Sequence, residues 1–238
     1  MQLIGKTALI TGGGRGLGRE IALAFAREGA QVVVAARSAD EVAETAWLIE
    51  ETGRAALALT ADVRHAAHAE ALVAQAVSHF GGLDILVNSA GVSLRKPVQE
   101  TMEPAWDDVM DTLVKGTYLM AKAAIPAMIA RGGGNIINLG APLERIAVPG
   151  FGAYYAAKCA VDGFSKVLAK ELRRYGINVN LLHPGGFADT RMVREAVPEV
   201  TKGLLSPSEI APAAVFLAAQ PPRGQTGQII NAHEWKSA

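Results

Sequence analysis

Residues 6–18 read KTALITGGGRGLG, and this stretch decides the fold because a short apolar run passes directly into a glycine-rich turn. Gly12, Gly16 and Gly18 stand where a first strand would give way to a first helix, whose apolar face would begin at Leu17. Without side chains, such a turn lets the backbone approach a pyrophosphate, and the amino terminus of the helix faces the negative charge. The pattern predicts a dinucleotide phosphate site, with an ordinary glycine-rich turn as the alternative interpretation.

Composition and charge narrow the class of protein. The chain has 238 residues, half of them apolar, which suits a single α/β domain spanning residues 1–238. Its formal net charge is zero, so no basic surface for nucleic acid is expected. We expect neither a targeting segment nor a membrane-spanning run, which favours a cytoplasmic setting. The single cysteine, Cys159, excludes an intrachain disulfide.

Short apolar runs alternate with longer segments of helical period along the chain. Most of these runs lack the alternation typical of a sheet with one wet face, so helices should cover both faces of the predicted sheet. This order favours a doubly wound parallel sheet, whose ligands bind beyond the carboxyl ends of the strands. The predicted strands are residues 7–10, 31–35, 55–60, 85–87, 136–139, 179–182 and 228–231.

The end of the second predicted strand bears on which cofactor binds. A chain that selects NAD(H) would place a carboxylate there for the ribose hydroxyls, but residues 35–38 read AARS. The guanidinium of Arg37, beside Ser38, could instead make two charge-assisted hydrogen bonds to a 2′-phosphate, and Arg15 in the glycine turn could join it. NADP(H) is therefore predicted over NAD(H), although two solvated surface arginines would give the same sequence.

A second motif lies at residues 154–158, which read YYAAK. The i,i+4 spacing puts the Tyr154 phenol and the Lys158 ammonium on one helix face. Because a nearby ammonium stabilises a phenolate, we expect the pKa of Tyr154 to be lowered from its usual value of about 10. The phenol would protonate an alkoxide during reduction or take the alcohol proton during oxidation, while a nicotinamide carries the hydride. The alternative is a buried tyrosine beside a surface lysine.

These motifs make the chain resemble the short-chain dehydrogenase/reductase family from residue 6 to about residue 231. Residues 11–18 match its cofactor motif TGxxxGxG, and Tyr154 with Lys158 matches its catalytic pair. The resemblance implies a Rossmann-type sheet of about seven strands flanked by helices. It also implies assembly as a homodimer or homotetramer through segments 106–128 and 152–175.

The resemblance implies cofactor contacts for several further residues. Lys158 would bind the nicotinamide ribose, and segment 191–206 would form a short lid over the substrate. By the same resemblance Asp62 and Val63 would contact the adenine, Asn88, Ala90 and Gly91 would belong to the family's Asn-Asn-Ala-Gly element, and Pro184, Gly185 and Thr190 would hold the nicotinamide end.

Two positions depart from the family pattern. Ala141 stands where the family has a serine that bonds the substrate oxygen, and Leu113 stands where it has an asparagine. Loss of one such oxyanion donor typically lowers turnover by about a hundredfold to a thousandfold. Another polar residue near in sequence could replace the serine, and the candidates are Ser93, Asn138 and Glu144.

The sequence therefore predicts an NADP(H)-dependent oxidoreductase that interconverts a carbonyl and an alcohol, with Tyr154 as the acid and base. The alternative is a catalytically impaired NADP-binding protein that acts as a regulator, sensor or structural subunit. Relatives that eliminate halide have lost the dinucleotide glycines, which this chain keeps. No metal is expected, because His65 and His68 have no convincing third ligand.

Overall fold

A computed structural model describes residues 1–142 and 147–235 of the chain. Its centre is a seven-stranded sheet in the order β3-β2-β1-β4-β5-β6-β7, and every neighbouring pair is parallel. All seven predicted strands are present, so the predicted fold is confirmed. The strands are β1 (Thr7–Thr11), β2 (Gln31–Ala36), β3 (Ala56–Thr60), β4 (Ile85–Asn88), β5 (Gly134–Leu139), β6 (Ile177–His183) and β7 (Ile229–Asn231).

Helices pack on both faces of the sheet, and α4 leads into α5 through a π-helical turn at Asp111–Lys115. Such turns occur often at functional sites. In the part of the chain that the structure describes, the α-helices are α1 (Gly16–Arg27), α2 (Ala39–Glu50), α3 (Ala66–Phe80), α4 (Glu103–Met110), α5 (Gly116–Ala130), α6 (Gly152–Leu172), α7 (Arg191–Ala196) and α8 (Ala211–Ala218).

Successive residues of a strand point to opposite faces of the sheet and pack into two separate apolar layers. Ile10 of β1 packs with Phe25 and Leu217 on the face covered by α1, α2 and α8. Leu9, the preceding residue, packs with Leu72 and other residues on the face covered by α3, α5 and α6. Because helices cover both faces, most strand positions that point to either face are apolar, which explains the missing alternation in the sequence.

The helical run Glu103–Ala130 corrects one expectation from the sequence. An 18-residue window within it has a mean hydropathy of 1.2, so by length and composition alone it could cross a membrane, whereas no such run is expected from the sequence. In the fold, however, Met120, Ala124 and Met128 of this run are completely buried against the sheet. A helix that packs on a sheet needs such an apolar face, and this requirement accounts for its composition.

The chain reverses direction across the sheet between β1 and β4. From β1 it continues outward to β2 and β3, and it then crosses back to add β4 through β7 on the other side. At such a switch point the loops after neighbouring strands diverge and leave a crevice beyond their carboxyl ends.

Candidate active site

A cleft of about 780 Å³ opens at this crevice. It runs from the end of β2, past the glycine turn, to the ends of β5 and β6. Most of the predicted site residues line it: Gly12, Arg15, Gly16, Leu17, Gly18, Arg37, Ser38, Asp62, Val63, Ala90, Gly91, Tyr154, Lys158, Pro184 and Thr190. Residues that are far apart in sequence therefore meet along one continuous surface.

The glycine turn packs so tightly that side chains would not fit. A Cβ on Gly12 would lie 2.7 Å from the carbonyl oxygen of Ser89, and a Cβ on Gly18 would lie 2.3 Å from that of Gly12. The Thr11 hydroxyl fixes the opposite wall by accepting hydrogen bonds from the amides of Ser89 and Ala90, each at 3.2 Å. No side chain caps the amino terminus of α1 among the described residues, so its first amides can face an anion in the cleft.

The two arginines predicted for the 2′-phosphate differ in their surroundings. Arg15 donates to Glu41 at 3.0 Å, and Arg191 lies 3.6 Å from the same carboxylate. Arg15 therefore lines the cleft as a member of an exposed ion pair with Glu41 of α2, and its contact with a 2′-phosphate stays a prediction. Arg37 is exposed on the cleft and forms none of the ion pairs found within residues 1–142 and 147–235.

Asp62, predicted to contact the adenine, is held by Arg64. Three side-chain hydrogen bonds between 2.5 and 3.0 Å join the two groups, and the Arg64 amide also donates to the carboxylate. These hydrogen bonds lower the pKa of Asp62 to about 2. Arg64 also donates to Asp108 of α4 at 2.5 Å. The adenine end of the cleft is therefore anchored to a helix on the opposite side of the switch point.

Tyr154 and Lys158 lie on one face of α6, where it borders the cleft. The Lys158 Nζ lies 5.6 Å from the centre of the Tyr154 ring and donates to the Leu139 carbonyl oxygen at 2.7 Å. Burial raises the pKa of Tyr154 to about 12 and lowers that of Lys158 to about 8. The direction is opposite to the one expected from the i,i+4 spacing, because burial of the phenol raises its pKa.

The two apolar departures form part of the wall beside Tyr154. Ala141 follows β5 and is 4% exposed, whereas Leu113 lies in the π-helical turn and is 3% exposed. A Cβ built on Gly91 would meet the Leu113 side chain at 3.3 Å, so the leucine fills the space at this point. The cleft therefore presents methyl groups where the family pattern has a hydroxyl and an amide.

The three residues considered as replacements for the family serine differ in their surroundings. Ser93 lines the cleft. Asn138 is fully buried, and its amide already bonds Asn88 and Ser165 at 2.8 Å each. Glu144 lies outside the described residues. Thr112, which the sequence reasoning missed, lines the cleft beside Leu113, and its buried hydroxyl has no hydrogen-bond partner in the part of the chain that is described.

The segment predicted as a lid is tied down at both ends. The Asp189 amide donates to the Leu205 carbonyl oxygen at 2.8 Å, and the Leu205 amide donates to Phe187 at the same distance. Between these ties α7 begins after Thr190, whose hydroxyl accepts from the Val193 amide at 3.3 Å. Thr190 therefore serves as a helix cap, and the predicted residues of the segment that line the cleft are Met192, Val193 and Val197.

Two predicted cofactor residues do not line the cleft. Asn88 is buried at the end of β4, where its amide nitrogen donates to Asn138. Gly185 lies against β7, since a Cβ there would come within 2.1 Å of the Asn231 amide oxygen. Both positions support the wall of the cleft from behind.

No group of three or more potential metal ligands occurs within the described ranges. His65 and His68 stack edge to face with ring centres 5.3 Å apart, and the Asp62 amide donates to the His68 Nδ1 at 3.1 Å. The two histidines thus belong to the turn that carries Asp62.

The cleft, the glycine turn and the paired phenol and ammonium define a nucleotide-binding oxidoreductase fold. The chain belongs to the short-chain dehydrogenase family, because the model of that family matches residues 6–201.

Relatives with this fold match the chain over nearly their whole length. It is 36% identical over 238 residues to the 3-oxoacyl-acyl-carrier-protein reductase FabG of Staphylococcus aureus, covering 95% of this chain and 96% of the relative. It is also 36% identical to an uncharacterized oxidoreductase of Thermotoga maritima, covering 97% of both chains. A solved structure of a putative short-chain alcohol dehydrogenase from Sinorhizobium meliloti has a TM-score of 0.87 and 36% identity, with 97% of this chain and 95% of that chain covered.

Proposed function

We propose that this protein is an NADP(H)-dependent oxidoreductase that interconverts a carbonyl and an alcohol, with Tyr154 as the acid and base. One observation carries the proposal: Tyr154 and Lys158 border the same cleft as the side-chain-free glycine turn. The turn and the uncapped start of α1 suit a pyrophosphate, and the cleft leads from there to the phenol. When bound, the nicotinamide would supply or accept the hydride.

The choice of NADP(H) rests on the end of β2. Arg37 is exposed there without an ion-pair partner among the described residues, and no carboxylate follows the strand before α2. A guanidinium matches the geometry and the charge of a 2′-phosphate. Asp62 and Val63 would border the adenine, and Pro184 and Thr190 would border the nicotinamide end.

The Tyr154 phenol can act as the proton donor in the reducing direction. Since the pKa of Tyr154 is raised to about 12, the phenol keeps its proton at neutral pH and can deliver it to a developing alkoxide. Lys158, held on the Leu139 carbonyl oxygen, keeps a positive charge near the ring and would bind the nicotinamide ribose. The ammonium stabilises the phenolate that remains after the proton has left.

Ala141 and Leu113 set a condition on the substrate. Without a hydroxyl at residue 141, the donor that the family places beside the phenol is missing, so an unactivated ketone should react slowly unless Ser93 or Thr112 takes its place. The relative from Staphylococcus aureus acts, by its name, on a 3-oxoacyl group, in which a second carbonyl withdraws electrons from the ketone. We infer that this chain also takes ketones with such an electron-withdrawing neighbour.

The same two residues favour a second candidate, an NADP-binding protein with impaired catalysis that acts as a regulator, sensor or structural subunit. In such a protein the glycine turn would still bind the cofactor, while the wall that contains Ala141 and Leu113 would offer no polar group to a substrate oxygen at these two positions. The two functions predict the same affinity for NADPH and differ only in turnover.

Three further proposals concern the oligomeric state, the segment over the substrate and the cellular location. We propose a homodimer or homotetramer, since α5 and α6 expose Tyr118 and Val167 on faces turned away from the sheet. Segment 191–206 would cover the substrate, and Met192 and Val193 give its inner side an apolar character. We place the protein in the cytoplasm.

The test is NADPH oxidation with a panel of 3-oxoacyl thioesters and simple ketones, at saturating cofactor. The native chain should oxidise NADPH with the activated ketones. Tyr154→Phe should lower turnover by about a hundredfold to ten-thousandfold and leave NADPH affinity within about twofold. The matched control is Tyr155→Phe, which removes a neighbouring phenol that does not line the cleft. NADPH binding without turnover by the native chain would favour the second candidate.

A further inference from the structure

A row of buried ionisable groups runs behind Tyr154. Lys158 and Asp162 are one helical turn apart on α6, and His183 ends β6 next to them. Lys158 and Asp162 are each 6% exposed and His183 is 8% exposed. Charged groups are rarely buried to this degree unless they compensate one another.

Asp162 and His183 face each other without a completed hydrogen bond. Their Oδ1 and Nε2 atoms are 3.7 Å apart, and neither atom has a hydrogen-bond partner within residues 1–142 and 147–235. Gly140 allows this approach, because a Cβ there would lie 2.3 Å from the His183 ring and 3.4 Å from the Asp162 carboxylate. The backbone of the chain thus leaves room for an imidazole beside this carboxylate.

Within residues 1–142 and 147–235, the other polar groups around this row are mostly neutral. The bordering groups are the Tyr154 phenol on α6, the Leu139 carbonyl and the Asn138 amide on β5, and the Asn231 amide opposite His183 on β7, while Asp189 near the lid is bonded to Arg194. Burial lowers the pKa of Lys158 to about 8, and the charge of Asp162 opposes that shift. Asp162 is therefore the carboxylate that favours the charged lysine.

We propose that Asp162, supported by His183, is a positioning residue whose charge keeps the proton on Lys158 in the cofactor cleft. The inference rests on the proposed function, since the charged Lys158 matters to the reaction through Tyr154 and the nicotinamide ribose. Asp162 does not touch the reacting atoms and acts through Lys158. His183 faces the Asp162 carboxylate at 3.7 Å and supports it electrostatically, because an N–H at Nε2 would point its positive end toward Oδ1.

The experiment titrates Lys158 directly, in the full chain, by NMR with lysine carrying 13C at Cε. Lys158→Arg identifies the signal by its loss. Asp162→Asn should lower the pKa of Lys158 by about one unit, because it removes a buried opposite charge one helical turn away that favours the charged form. The matched control is Asp84→Asn, which removes a carboxylate that is also 6% exposed but is bonded to the Thr7 amide, away from the cleft. It should leave the Lys158 titration unchanged.

Activity gives a second readout that a merely structural role would not move. The rate of NADPH oxidation should fall as the pH rises through about 8 in the native chain. Asp162→Asn should move this descending limb of the pH–rate profile to lower pH. At pH 8 the charged fraction of Lys158 would drop from about one half to about one tenth, or roughly fivefold. An unchanged limb together with an unchanged Lys158 titration would overturn the proposal.

A third variant covers the case in which Asp162→Asn does not fold. His183→Gln keeps a hydrogen-bond donor near the carboxylate but removes the imidazole, and it should shift the Lys158 titration in the same direction by a smaller amount. Failure of that shift would also overturn the proposal. Since the NMR titration needs neither substrate nor turnover, a shifted Lys158 in a protein that never oxidises NADPH would refute the reductase function alone.

Discussion

The two ends of the cleft differ in whether main-chain atoms or side chains form their walls. At the proposed cofactor end, main-chain atoms form most of the wall. Gly12 and Gly18 pack against main-chain carbonyl groups, and the Thr11 hydroxyl accepts hydrogen bonds from two amides of the loop after β4. At the catalytic end, side chains from α6, β5 and the π-helical turn meet, and two of them, Ala141 and Leu113, are apolar. Under the proposed function, we therefore expect cofactor affinity and turnover to respond to different substitutions.

The largest effect should come from breaking the cofactor end. Gly18→Ala places a methyl group 2.3 Å from the Gly12 carbonyl oxygen, so the turn must deform. We expect NADPH affinity to fall by more than about a hundredfold, with a loss of about 1–3 kcal/mol in the free energy of unfolding. The checks are fluorescence titration with NADPH and denaturant unfolding.

Gly163→Ala is the matched control for that variant, because it also lies in a helix but a Cβ there meets no atom within 4 Å. It should leave NADPH affinity unchanged and stabilise the chain by up to about 1 kcal/mol. Tight NADPH binding by Gly18→Ala would contradict the backbone account of the cofactor end.

Restoring the catalytic end should give the next largest effect. Ala141→Ser supplies a hydroxyl at the end of β5, beside the phenol, and we expect turnover with an activated ketone to rise at least about tenfold. NADPH affinity should stay the same, because residue 141 lies beyond the glycine turn. Ser93→Ala in the native background is the companion variant: if it removes most of the activity, Ser93 already supplies the donor and Ala141→Ser should gain little.

The next prediction compares Arg37 with Arg15 in their effect on the choice between NADPH and NADH. Arg37→Ser should lower NADPH affinity about tenfold or more and leave NADH affinity unchanged, because hydrogen bonds to a charged group contribute about 1.5–3 kcal/mol each. Arg15→Ser, whose side chain is paired with Glu41, should lower NADPH affinity less. Equal losses for both cofactors in Arg37→Ser would argue against a 2′-phosphate contact. Isothermal titration with each cofactor provides the measurement.

The smallest effect concerns the anchor of the adenine end. Because its pKa is depressed to about 2, ionised Asp62 stabilises the fold fully above its ordinary pKa near 4, and this contribution is lost as the pH falls through 2. Arg64→Gln should therefore cost about 1–2 kcal/mol at pH 7, and the difference from the native chain should shrink between pH 4 and 2. Urea unfolding at several pH values tests this. Arg194→Gln, at an exposed ion pair that also lowers the pKa of Asp189, should show a weaker trend because solvent screens the pair.

The sequence predicted the fold because its decisive signals are local. Apolar runs and glycine turns depend on neighbouring residues, so all seven strands were found within a few residues of their bounds. The pairing of Arg15 with Glu41, and of Asn138 with Asn88, joins residues from separate elements and has no local signature. The pKa of Tyr154 likewise depends on how deeply the fold buries it, which i,i+4 spacing alone does not reveal.

The backbone ties at the base of the lid have a consequence for diversification. Phe187, Asp189 and Leu205 close the segment with two hydrogen bonds, so the chain between them begins and ends at fixed points on the scaffold. Doubling the length of such a closed loop costs only about 0.6 kcal/mol in closure entropy. Under the proposed function, we therefore expect segments of other lengths and sequences to be accepted between these two points, with the glycine turn and α6 unchanged.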